Sequence, residues 1–132
     1  MQTSCFFKYK GDGRISIARY EPRGTPAGYK RFKPLAPFGH MLKMESQDEY
    51  RRIYFEEILG KLDPAETYDK LVELAAPFEP VLLCWERLEK PGDWCHRRMV
   101  AEWFEKSLGI DVPELQIQPS TVMFGRQQMF DF

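Results

Sequence analysis

Apolar positions along this chain recur with two different periods. Residues 4–9 and 14–19 form short strand-like blocks joined by Lys10-Gly11-Asp12-Gly13. Asp-Gly in that place is a hairpin signal, and a longer excursion between the two strands is the alternative. A third block, Val81-Leu82-Leu83-Cys84-Trp85-Glu86, is an apolar run that predicts a buried strand. Three other stretches keep helical spacing. Ser46-x-x-Glu49 is a capping box ahead of Tyr50, Ile53, Tyr54 and Ile58. Asp63-Pro64-Ala65-Glu66 opens a second helix with Pro at its first position; Tyr68, Leu71, Val72 and Ala75 line its face, and Pro77 and Pro80 close it. The last presents Met99, Val100, Trp103, Phe104 and Leu108, with Asp93 as the predicted N-cap and Gly109 as the stop. Residues 20–45 are rich in Pro and Gly, and so long a segment without predicted structure is usually functional or a lid.

This order predicts an α/β fold: a single small three-layer domain over residues 1–118, with a mostly parallel sheet and flanking helices. Residues 119–132 form a C-terminal tail. Ligands of open α/β sheets bind beyond the carboxyl ends of strands, where helix N-termini present free N–H groups. The strand–loop–helix junction from Val81 to Arg98 is therefore the expected site. With Asp93 as cap, Trp94, Cys95 and His96 occupy the first three helical positions. A thiol there is favoured as thiolate and expected to be exposed, and a neutral imidazole is expected at His96. Cys84 and Glu86 share one strand face, which points Glu86 toward the helix start. The expected catalytic groups are Cys95 as nucleophile, Glu86 as general base and His96. Arg97, Arg19, Cys84 and Trp94 are expected to bind ligand, with one of Arg97 and Arg98 turned to the site and the other to solvent. Bland readings stand beside these: Cys84 as a small core residue, His96 as a helix-end cap, and Arg19 as a structural ion-pair partner of Glu86.

The same residues carry a resemblance. Residues 15–22, Leu35-Ala36-Pro37, residues 82–86 and residues 95–103 resemble the bacterial and phage family catalogued as domain of unknown function 488, over a span from Ile15 to about Leu115. The Cys-x-Glu and Cys-His-Arg pair is the specific part. The resemblance implies a small α/β fold with the Cys-His-Arg end as its site, and no settled activity. The loop carrying Leu88, Glu89, Lys90 and Asp93 is longer than the usual family form.

Composition narrows the function. A chain of 132 residues with 3 Trp, 6 Tyr and 10 Phe can build a core without disulfides. Three cysteines and no recognisable leader or membrane-spanning run point to a reducing cytoplasm and no membrane partner. Cys84, Cys95 and His96 superficially suggest zinc, yet Cys95 and His96 are neighbours on the predicted helix and neighbouring positions face apart, so no metal is assigned. A Cys84–Cys95 disulfide requires an oxidising setting or a redox role. The net charge of −1 conceals nine Lys/Arg against three Asp/Glu in residues 1–45. Arg14, Arg19, Arg23, Lys30, Arg31 and Lys33 alternate there with Tyr20, Tyr29 and Phe32, a pattern that suits phosphates or single-stranded nucleic acid and equally a solvated surface. The overall balance excludes a dedicated duplex-DNA binder.

The expected function is binding of a small anionic or nucleotide-like ligand at the junction, with transferase or hydrolase chemistry; no cofactor is specified. The alternative is a non-catalytic adaptor whose contact surface is the Pro/Gly-rich segment. In the tail, Gln127, Phe130 and Phe132 resemble the short peptides that dock replication and repair proteins on bacterial sliding clamps, and a tail folded back on the core is the competing reading.

Overall fold

Four short strands form one all-parallel sheet in the order β1–β4–β2–β3, seen in a computed structural model that describes residues 1–116. They are β1 (Gln2–Cys5), β2 (Arg14–Ser16), β3 (Lys30–Arg31) and β4 (Val81–Cys84). The helices are α1 (Gln47–Ile53), α2 (Pro64–Ala75) and α3 (His96–Leu108). The domain is thus a small α/β fold with a parallel sheet and flanking helices. The expected C-terminal tail, with Gln127, Phe130 and Phe132, lies outside the described residues. Among the described residues no helix is long and apolar enough to cross a membrane.

β4 is central and buried throughout, with Thr3↔Leu82 and Ile15↔Leu82 in register on its two sides. The hairpin expectation for β1 and β2 is corrected by this pairing. Both strands run parallel to β4, one on each side, so residues 6–13 return across the sheet instead of turning back. A backbone that pairs both strands with the most apolar run in the chain buries more surface than a two-strand ribbon would.

Alternation along β4 separates two apolar layers. Leu82, with Ile15, faces a core built from Leu71 of α2 and Val100 and Phe104 of α3. Val81 and Leu83 face the other way, against Phe6, Ala18 and Tyr9. The helices thus cover one face and loop-borne side chains the other, so the expected third layer is made by loops and not by helices.

Local signals act as expected at the helix starts. Glu49 N–H donates to Ser46 Oγ at 3.2 Å and Glu66 N–H to Asp63 Oδ2 at 2.8 Å. Beyond Ile53 the α1 backbone continues as a wider π turn (Tyr54–Ile58), which keeps Tyr54 and Ile58 buried. On α2, Leu71 and Ala75 are buried, but Val72 is 41 % exposed and Thr67 takes the inward place. The segment 20–45 is not structureless: β3 and two 3-10 turns (Lys33–Leu35 and Gly39–Lys43) lie in it. Leu35 and Met41 are buried in the core, and Tyr54 Oη donates to Leu35 O at 2.6 Å.

Candidate functional site

Cys84 ends β4, and the chain then loops out before α3. The expected cap is displaced. Asp93 Oδ2 accepts from Lys90 N–H at 2.9 Å, and Asp93 N–H donates to Lys90 O at 3.1 Å, so this residue closes its own loop turn. Trp94 packs edge-on against Tyr50 with ring centroids 4.8 Å apart, and Cys95 is the actual N-cap, in extended backbone at φ −156°, ψ 150°. The helix therefore begins at His96, two residues later than the sequence predicts. Gly109 ends it in the left-handed conformation (φ 69°), as expected.

The displaced start changes the fate of Cys95. Its side chain points inward, the residue is only 3 % exposed, and its sulfur is disulfide-bonded to Cys84. The expectation of an exposed, reactive thiol at a helix start is corrected accordingly. Among the described residues Cys5 is the one free cysteine, and it is buried. Around Cys95 Sγ stand Glu86 Oε1 at 3.0 Å and His96 Nδ1 at 3.8 Å. The contact to Glu86 is a hydrogen bond only in the dithiol form, where the sulfur has a proton to donate.

His96 is buried and its Nε2 lies 2.8 Å from Ile17 O, at the exit of β2. A carbonyl only accepts, so Nε2 carries the hydrogen and Nδ1 presents a lone pair toward Cys95. Burial, assisted by the charge of Arg97, lowers the imidazole to about 4 against the opposing effect of the Ile17 bond. The neutral imidazole expected from the sequence is present, with desolvation as its chief cause.

Arg97 is fully buried and does not line the cavity described below. Its Nε and Nη2 bind Glu114 at 3.0 and 2.8 Å, and Nη1 donates to Glu86 O at 2.7 Å and to Cys84 Sγ at 3.0 Å. The expected ligand contact by Arg97 is replaced by a structural clamp behind the site. Arg98 is likewise engaged, donating to Thr3 Oγ1 at 2.9 Å and Val112 O at 2.8 Å, so neither arginine simply faces solvent.

In front of these residues lies a cavity of about 680 Å³. Residues that follow the carboxyl ends of β2 and β4 line it, as open α/β sheets place their ligands. Glu86, Cys95 and His96 form one wall, with Trp94 beside them. Arg19 lines it too, with Nε donating to Pro37 O at 2.8 Å and no ion pair among the described residues. A pairing of Arg19 with Glu86 is therefore absent there. Of the expected ligand-binding residues, Arg19 and Trp94 reach the cavity, whereas Cys84 and Arg97 lie behind its wall.

Four contributors escaped the sequence reading. Arg87 also lines the cavity, its guanidinium lying over the Phe7 ring at 4.9 Å, and Met41 adds an apolar contact from the Gly39–Lys43 turn. Tyr50 also lines it, its phenol held protonated by burial and by the Glu86 charge. Glu114 is the partner that fixes Arg97. Arg87 was findable as the residue next to Glu86; nothing in the sequence pairs Glu114 with Arg97.

The basic-aromatic segment is largely self-satisfied. Arg14 donates to the carbonyls of Gly11, Pro26 and Ala27 at 2.8, 2.9 and 2.6 Å, and Arg31 and Lys33 both pair with Glu21. These three cations hold the loop together instead of forming an open phosphate track. No family model, curated protein or solved structure matches the chain.

Proposed function

We propose that the cavity takes a small anionic or nucleotide-like ligand and that its Glu86–Cys95–His96 wall performs a transfer or hydrolysis on it. The observation that carries the proposal is the cavity beyond the strand ends, with a carboxylate, a sulfur and a neutral imidazole on one wall. Arg19 and Arg87 supply positive charge for the anion, and Trp94, Trp85 and Tyr20 offer faces on which a planar base can stack. Glu86 is exposed enough to meet substrate and suits a general base. The resemblance to the domain of unknown function 488 family, of whose specific residues Glu86, Cys95 and His96 stand on this wall, is part of the same proposal.

The adaptor alternative requires Trp85 or Trp94 to fill the junction. Trp94 packs sideways on Tyr50, and Trp85 is 43 % exposed with its indole N–H on Tyr20 O, so both leave the cavity open. The test is turnover on a panel of nucleoside phosphates and sugar phosphates. Glu86→Gln is expected to lower turnover about 10²–10⁴-fold with folding intact, as loss of a general base does. Assayed with the Cys84–Cys95 pair reduced, Cys95→Ser should also lose activity. Full turnover in both variants would refute the role of this wall.

A further inference from the structure

We propose that Cys84, Cys95 and His96 form a binding site for a thiophilic divalent metal ion, zinc fitting best. The two sulfurs and a ring nitrogen of His96 all lie within 4.8 Å of one another, and all three residues are buried. Two cysteines and a histidine, with a fourth position left to water or substrate, make one of the established donor sets of catalytic zinc. The objection that Cys95 and His96 face apart on a helix does not hold, because Cys95 stands outside the helix in extended backbone.

The surroundings suit the ion. Ile17 O fixes His96 through Nε2 at 2.8 Å and leaves the Nδ1 lone pair on the sulfur side. Metal-bound histidines are oriented by such a partner on the other ring nitrogen. Arg97 Nη1 stands 3.0 Å from Cys84 Sγ, a cationic donor aimed at that sulfur. The Cα atoms of Cys84 and Cys95 are 7.5 Å apart, beyond the span of roughly 4.4–6.8 Å usual for disulfides. Two thiolates meeting at a shared ion, each about 2.3 Å from it, use that extra room. Cys95 and His96 both line the cavity, so the fourth position opens onto ligand space near Glu86.

Loading is a proton exchange on the dithiol. A phosphine reductant opens the disulfide by supplying two electrons and is itself oxidised to the phosphine oxide, water providing the oxygen and the two thiol protons. The ion then displaces one proton from each thiol and takes the imidazole lone pair without proton release. The metal site stands without the ligand assignment above, since binding is read on the protein alone, and a chain that takes no nucleotide can still take the ion.

The full chain, reduced with a water-soluble phosphine and stripped of metal under argon, is titrated with cobalt(II) and then with zinc. One equivalent of cobalt should produce thiolate-to-cobalt charge-transfer absorption and the strong visible bands of a tetrahedral site, and one equivalent of zinc should abolish both. Cys84→Ser, Cys95→Ser and His96→Gln should each weaken cobalt binding about tenfold or more, while Cys5→Ser leaves it unchanged. Circular dichroism checks the fold of each variant. Independently of any variant, zinc should slow alkylation of Cys84 and Cys95 in the reduced wild-type chain about tenfold, and that of Cys5 not at all. No cobalt bands at stoichiometric metal, bands that survive Cys84→Ser, or equal alkylation rates with and without zinc would each overturn the proposal.

Discussion

Replacing Arg97 by alanine is expected to destabilise the protein by about 3 kcal/mol or more, the cost of breaking a buried ion pair by removing one partner. Its guanidinium joins three parts of the chain: Glu114, the Glu86 carbonyl at the exit of β4, and its own helix. Truncation leaves Glu114 without its two-point partner and the Glu86 carbonyl without a donor, while Thr3 Oγ1 still donates to the carboxylate at 2.7 Å. Arg97→Lys should recover little, because an ammonium cannot span the carboxylate and the carbonyl together in the guanidinium's planar geometry. Against a total stability of roughly 5–15 kcal/mol for a domain, the loss is large but measurable by urea unfolding at low temperature. A cost below about 1 kcal/mol would mean that the clamp does not form.

The second large effect falls at Gly13. Here φ is +82°, and a Cβ would stand 2.0 Å from the Glu79 carbonyl oxygen. The same glycine accepts from Val81 N–H at 2.8 Å, where the returning chain enters β2 beside β4. Gly13→Ala therefore combines a left-handed backbone penalty with a clash against main chain that cannot rotate away. About 3 kcal/mol or more is expected. Gly24→Ala is the control, since φ is +77° but nothing lies within 4 Å, and only about 1–2 kcal/mol should be lost. Equal thermal shifts in the two variants would contradict the close approach of Gly13 to Glu79.

Gly13 also shows why the sequence misdirects at that point. Asp12-Gly13 has the composition of a hairpin turn, but the glycine serves close passage of two backbones, and no local pattern separates those uses. What was legible was local. The two caps at Ser46 and Asp63, the Gly109 stop and the buried run at Val81 each depend on residues a few positions apart. Asp93 was misread because a short polar side chain before an apolar helix can cap that helix or close its own loop, and the Lys90 N–H lies closer to hand.

For the candidate site, the junction was legible because reactive residue types and topology coincide there, at the carboxyl end of an apolar strand, and a cavity opens beside it. Its internal arrangement was not. The two-residue shift of the α3 start buries Cys95 and turns it toward Cys84, and Arg97 rotates behind the wall to meet Glu114, which lies seventeen residues further along the chain. Such pairings are decided by tertiary contact, which spacing alone does not encode.

The central claim is that ligand enters the cavity walled by Glu86, Cys95 and His96, and residue-resolved NMR titration tests it most directly. Uniformly labelled protein is titrated with nucleoside monophosphates, nucleoside diphosphates and sugar phosphates. The expected result is saturable shifts in the Trp94 indole and the amides of Arg19, Glu86 and His96, with β3 and the Tyr29 loop unmoved. Shifts confined to Tyr29, Lys30 and Arg31, or no saturable shift with any of these ligands, would contradict it.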